Sequence, residues 1–148
     1  MYTFTVEMRP VPQGSMTASY NRVTGVSHVH HVQGSALALW RASVREEARK
    51  AGVIKSFAPI ILTIDFGMTR PKSHMQLRGG KYVPKDKYRD AIPAVMPDID
   101  KLARAVMDAL TNVAYNDDAQ VVGLHCTKVY ADHTNIRITD YHAENSLW

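Results

Sequence analysis

The chain reads as an α+β protein: a small mixed four-stranded sheet with about two helices packed on it and one long mobile basic loop. Three observations predict this. Apolar residues alternate in short segments at both ends of the chain and once near its middle, as half-buried strands require. Two other segments repeat their apolar residues at helical spacing. What remains is polar, rich in glycine and proline, and fits neither period. The 148 residues suit a single domain, 1–148, able to bury about 68–70% of its unfolded surface.

Tyr2–Met8 is the first strand, with Tyr2, Phe4, Val6 and Met8 on one side and Thr3, Thr5 and Glu7 on the other. Pro10 and Pro12 stop it. Residues 13–33 have no steady period and read as a loop. His28, His30 and His31 lie there as a solvated cluster; a zinc-binding module built on them is one function class to weigh. Ser35 caps a helix running to about Ala51, with a stripe of Leu37, Trp40, Val44, Ala48 and Ala51. Arg41, Arg45, Glu46, Arg49 and Lys50 form its solvated face, and Gly52 ends it. Pro59–Phe66 is apolar at most positions and reads as a central strand covered on both faces, with Asp65 at its solvent end.

Residues 70–97 change character. Arg70, Lys72, His74, Arg78, Lys81, Lys85, Lys87 and Arg89 are spread through it, with Gly79-Gly80 and Pro71, Pro84 and Pro93. Such a stretch buries little apolar surface and reads as a mobile loop. It carries positive charge, with Tyr82 and Tyr88 interleaved as candidates for stacking on unpaired bases.

A second helix follows, with Leu102, Val106, Ala109 and Leu110 as its buried stripe. Asp98 and Asp100 stand at its start, two apart, so that an extended entry would point both to one side; Asp100 also suits the N-cap. Residues 111–116 turn the chain back to Asp117 and Asp118. Val121–Tyr130 is a third strand, in which Cys126 is a small core residue, and Ile136–Tyr141 pairs with it as a hairpin. Trp148 ends a short tail, free or docked on a partner surface.

Helix and turn together would gather four acids. Two carboxylates about 4 Å apart repel by about 4 kcal/mol at a surface-like dielectric. A hard divalent cation such as magnesium offsets that cost, takes oxygen ligands and assists phosphodiester cleavage. The bulk numbers agree without deciding. Net charge is +4 and the pI about 9.3, compatible with a polyanionic partner. One cysteine allows no intrachain disulfide and no cysteine–zinc cluster, pointing to a reducing cytoplasm. No apolar run suggests a membrane span, and the opening MYTFTVEMRP lacks a secretory pattern.

The segment PDIDKLARAVMDALTNVAYNDDAQVVGLHCTKVY resembles the core of the RusA-type Holliday junction resolvases. The resemblance falls on Pro97, Asp98, Ile99 and Asp100; on Asp108, Ala109 and Leu110; on Asp117, Asp118, Gln120 and Val121; and on Lys128 and Tyr130. Arg9–Gly14 resembles that family's opening. Two positions depart from it: Lys101 replaces an asparagine, and Arg104 replaces a lysine one turn into the helix. The resemblance implies a bacterial or prophage-encoded homodimer that resolves four-way DNA junctions by paired nicks. It implies one or two Mg2+ ions per subunit, replaceable by Mn2+, held by Asp98, Asp100 and Asp118 with Asp117 beside them. Arg104 would neutralise developing charge; Arg70, Lys72, Lys81, Lys85, Lys87, Lys101 and Lys128 would contact DNA. No small-molecule substrate or membrane is implied. A junction-binding protein that does not cut is the alternative, since arginine lacks lysine's adjustable pKa.

Overall fold

Phe4 and Val6 are buried and Thr3 and Thr5 exposed in the opening strand, β1 (Tyr2–Val6), as their alternation predicts. The computed structural model describes residues 1–14, 16–21, 26–31 and 34–142. In chain order after β1 come β2 (Met16–Asn21), β3 (Val26–His31), α1 (Gly34–Lys50) and β4 (Ile60–Met68). Then follow β5 (Met75–Arg78), β6 (Lys81–Pro84), α2 (Ile99–Leu110), β7 (Val121–Tyr130) and β8 (Thr134–Asp140). Four of the strands form a mixed sheet in the order β1–β8–β4–β7, and both helices supply residues to its core. The fold class is the mixed α+β one expected.

β4 is the centre. Ile60, Leu62, Ile64 and Phe66 are fully buried and join Leu37, Trp40 and Val44 of α1 and Leu102, Val106 and Leu110 of α2 in one core. Each such aliphatic side chain contributes about 1.5–3 kcal/mol on leaving water. The alternate positions Ile61, Thr63 and Asp65 are only half-buried, so the expected cover on both faces holds fully for one face alone.

The expected hairpin between the last two strands does not form. β8 is antiparallel to both β1 and β4, while β7 runs parallel to β4 on its other side. The reason is local. The connection after β7 crosses the end of β4, where the Ala131 amide donates to the Met68 carbonyl at 3.1 Å. Gly67 makes room: a Cβ there would lie 1.9 Å from the His133 carbonyl oxygen. Its amide donates to Oγ1 of the fully buried Thr134 at 3.1 Å.

Two expected loops are hairpins instead. β2 and β3 pair antiparallel within the stretch read as irregular. His28, His30 and His31 fall in β3, and their side chains lie outside the described residues, as does the tail from 143 to Trp148. Within the basic stretch, β5 and β6 pair antiparallel across Gly79 and Gly80. Both glycines have positive φ, 59° and 77°, which suits a two-residue turn of the kind that matches strand twist. α1 begins at Gly34, a residue ahead of the expected cap. No helix among the described residues is long and apolar enough to cross a membrane.

Candidate active site

α2 follows from its sequence. Leu102, Ala103, Ala105, Val106, Ala109 and Leu110 are buried, the alanines allowing close approach to the sheet. Asp100, Arg104 and Asp108 recur every fourth residue, so they line one slowly drifting outer edge. The N-cap position is Asp98, not Asp100: its backbone is extended and its carbonyl already accepts from the Leu102 amide at 3.2 Å. The pair therefore does not share an extended segment. Asp100 belongs to the first helical turn, while Asp98 stands outside it with Lys101 Nζ at 3.9 Å.

The chain then reverses sharply. Asn112 adopts positive φ (67°), which asparagine tolerates better than most residues, and its amide donates to the Tyr115 carbonyl at 2.7 Å. Fully buried Tyr115 donates its hydroxyl to the Met107 carbonyl at 2.7 Å. Burial and the charges of Asp118 and Asp108 push that phenol well above the usual range, so it stays protonated. Asp117 and Gln120 form a capping box around a single 3-10 turn. Asp117 Oδ1 accepts from the Ala119 amide at 2.9 Å, and Gln120 Oε1 accepts from the Asn116 and Asp117 amides at 2.8 and 3.0 Å. Gln120 Nε2 donates to the Ser56 and Ala58 carbonyls, both at 3.0 Å, tying the turn to the approach to β4. The sequence Asp-Asp-x-Gln thus divides its work: Asp117 caps, Gln120 clamps, and Asp118 is left to face outward.

Helix and turn meet in an open cavity of about 420 Å³ lined by Gln13, Asp100, Ala103, Arg104, Met107, Asp108, Asp118 and Leu124. Asp118 is brought there to Asp100 and Arg104, which are one turn apart on α2; Asp98 and Asp117 are not in the lining. A hydrogen bond that the protonated Asp118 carboxyl donates to Asp117 raises the Asp118 pKa. Partial desolvation and the charges of Asp117 and Asp108 push the same way, with Arg104 opposing them.

Two residues that the sequence reading left out border this cavity. Arg41, expected on the solvated face of α1, is partly buried and pairs with Asp108 Oδ2 at 2.6 Å. It also donates to Gln13 Oε1 at 3.0 Å, and the Gln13 amide donates to the Lys101 carbonyl at 2.9 Å. The signal was in the spacing: Arg41 is four after Leu37 and three before Val44, inside the buried stripe. A cation there needs an anion, and Asp108 supplies it.

The expected DNA-contacting residues divide. Lys72, Lys81 and Lys87 are exposed, Lys85 and Lys101 partly so. Lys128 donates to the Val95 and Pro97 carbonyls at 2.7 and 3.0 Å, holding the segment that leads into α2. Arg70 donates to the Tyr88 and Arg89 carbonyls at 2.7 and 3.0 Å and lies over the Tyr130 ring. Tyr88 is stacked on His74 with centroids 3.9 Å apart, so only Tyr82 keeps an open face. Asp65 accepts from the Thr127 hydroxyl, and Cys126 is half-buried with its thiol pushed up to about 11, chiefly by burial. A thiol so placed is a poor nucleophile.

Residues 8–139 match the family described as Endodeoxyribonuclease RusA. The chain belongs to the RusA family. It is therefore a nuclease of a family that acts on branched DNA junctions. It is also 27% identical over 138 residues to the uncharacterized protein YqaN of Bacillus subtilis (strain 168), covering 91% of this chain and 92% of that protein. The match extends the family core into Met8–Gly14, where Gln13 touches both the cavity and α2.

The oxygen donors in the cavity, the carboxylates of Asp100, Asp108 and Asp118 with the Gln13 side-chain carbonyl, suit a hard cation, and the like charges already raise one pKa. No group of three or more acids, histidines or cysteines stands ready to hold a metal among the described residues. Magnesium does not need one, since it is usually held by one or two carboxylates together with water and substrate phosphate.

Proposed function

We propose that this protein is a magnesium-dependent resolvase that cuts four-way DNA junctions by paired, symmetric nicks. The observation carrying this reading is the shared cavity of Asp100, Arg104 and Asp118 in a RusA-family chain. Asp100 and Asp118 would be the principal ligands, Asp98 at the helix N-cap would be the third, and Asp117 would act through the Asp118 carboxyl. When bound, a hard divalent cation lowers the pKa of its water and screens the phosphate charge, and Mn2+ substitutes for Mg2+.

The chain's own groups do the rest. Arg104 lies on the same cavity wall and offers a permanently charged fork to the scissile phosphate. Replacing the family's lysine with arginine removes an adjustable proton donor but keeps this electrostatic role. Arg41, itself bonded to Gln13, pairs with Asp108 and partly neutralises its charge beside the two ligand acids. Lys72, Lys81, Lys85, Lys87 and Lys101 bind the DNA backbone, whereas Arg70 and Lys128 brace the segments that carry them. Two such sites in a homodimer account for nicks on opposing strands. Selectivity for the junction comes from its shape and backbone, not from base edges.

The test is a mobile four-way junction incubated with the protein, with and without Mg2+, and resolved on a denaturing gel. Symmetric Mg2+-dependent nicks on the junction, absent on linear duplex, are expected. Tight junction binding without nicking at any divalent-ion concentration would instead establish the non-cutting alternative.

A further inference from the structure

The β5–β6 hairpin carries an apolar feature that the acidic cavity does not explain. Leu77 and Tyr82 are opposite one another in its register, so they share a face as neighbours. They are 63% and 75% exposed, a contiguous aliphatic–aromatic knob in water. One step nearer the tip, Arg78 pairs with Lys81 across the two-glycine turn. From Arg70 to Lys85 the chain holds five lysines and arginines and no acid. An apolar knob ringed by cations suits a ligand with flat apolar surface between negative charges, which is what stacked bases between phosphates present.

The root of the hairpin is anchored. The Lys85 amide donates to the His74 carbonyl at 2.8 Å, and His74 stacks on Tyr88. Its other contact is edge-on to Tyr130, the last residue of β7, whose ring also lies under Arg70 at 4.9 Å. β7 starts just after the Asp118 turn. The knob is therefore tied through one strand to the proposed metal ligand.

We propose that Leu77 and Tyr82 form a stacking wedge that covers a base-pair face exposed at the branch point of the DNA junction. This rests on the junction-resolvase reading. The wedge selects branched over continuous DNA: a branch point offers an open stack, whereas a duplex must first be unstacked at a cost of a few kcal/mol per step.

The test places 2-aminopurine beside the branch point of a four-way junction, and separately within a continuous duplex. Both are titrated with protein in EDTA, so that no cutting intervenes. Wild type is expected to quench branch-point fluorescence several-fold, because a ring stacked on 2-aminopurine lowers its emission, and to leave the duplex probe unchanged. Tyr82→Ala should remove most of that quenching and weaken junction binding by about five- to a hundred-fold. Tyr82→Phe should restore both, because stacking needs the ring and not the hydroxyl. Since Tyr82 is exposed, the variants keep the fold, to be checked by their thermal midpoints. A Tyr82→Ala protein with undiminished quenching overturns the wedge. So does a Tyr82→Ala protein that loses self-association in sedimentation, which would assign the knob to a second copy of the chain. A wild type that nicks junctions with Mg2+ yet gives no quenching overturns the wedge alone. A wild type that neither binds nor nicks them overturns the resolvase reading as well.

Discussion

Asp118 carries a folded-state pKa above its ordinary value, because its carboxyl faces those of Asp117 and Asp108. The sign of the linkage follows. The folded state binds this proton more tightly than the unfolded one, so the contribution of Asp118 to metal-free stability is fully present below its unfolded-state pKa and is lost as pH rises through the carboxylate range. Divalent cation should reverse that loss. Thermal midpoints of metal-free protein should therefore decline from mildly acidic to neutral pH, with Mg2+ restoring them, and Asp118→Asn should flatten both effects. The side chain is largely solvated, so the shift should be no more than a few degrees. Arg41 is the complementary case. With side chains 25% and 33% exposed, its pair with Asp108 lies between surface and buried regimes. Arg41→Ala should cost about 1–3 kcal/mol in chemical denaturation, since it leaves Asp108 unpaired beside two further acids. Position 41 could be placed inside the stripe from its spacing alone. Its charge made a solvent-facing reading tempting, and its partner sits 67 residues away, which no local pattern reveals.

At the scale of elements, alternation was readable wherever one face is dry. Phe4 and Val6 in β1, the apolar run of β4 and the stripe of α2 all lie where their periods put them. Pairing partners were not readable, because a period of two names faces and not neighbours. The short link from β7 to β8 suggests a hairpin, and only Gly67 hints that the chain crosses β4 instead. Gly67→Ala puts a methyl into the His133 carbonyl and should destabilise the protein by several kcal/mol, or prevent folding, as measured by denaturant unfolding. The β5–β6 hairpin was legible in principle, since Gly79-Gly80 between Leu77 and Tyr82 is a hairpin signal. The density of surrounding lysines and arginines pulled the reading toward a loop. In the site itself, the four acids and Arg104 were visible as a motif, as was a reversal of the chain before Asp117, but not the 3-10 turn that follows it. That Asp117 and Gln120 build the turn while Asp118 faces the cavity emerges only from the hydrogen bonds.

For the whole molecule, charge is unevenly placed: the hairpin region is cationic, the cavity anionic. DNA must bridge the two. Removing the charges of Lys81, Lys85 and Lys87 together should flatten the log–log salt dependence of junction binding by about 0.9 per lost phosphate contact. Binding isotherms at several salt concentrations measure that slope. The direct measurement of the central claim is single-turnover cleavage of a four-way junction in Mg2+ by wild type, Asp100→Asn and Asp118→Asn, with junction binding followed in parallel. Each substitution should abolish nicking while leaving binding in place, because each removes a ligand but not the surface that grips the DNA. Nicking at the wild-type rate by either variant would contradict the account.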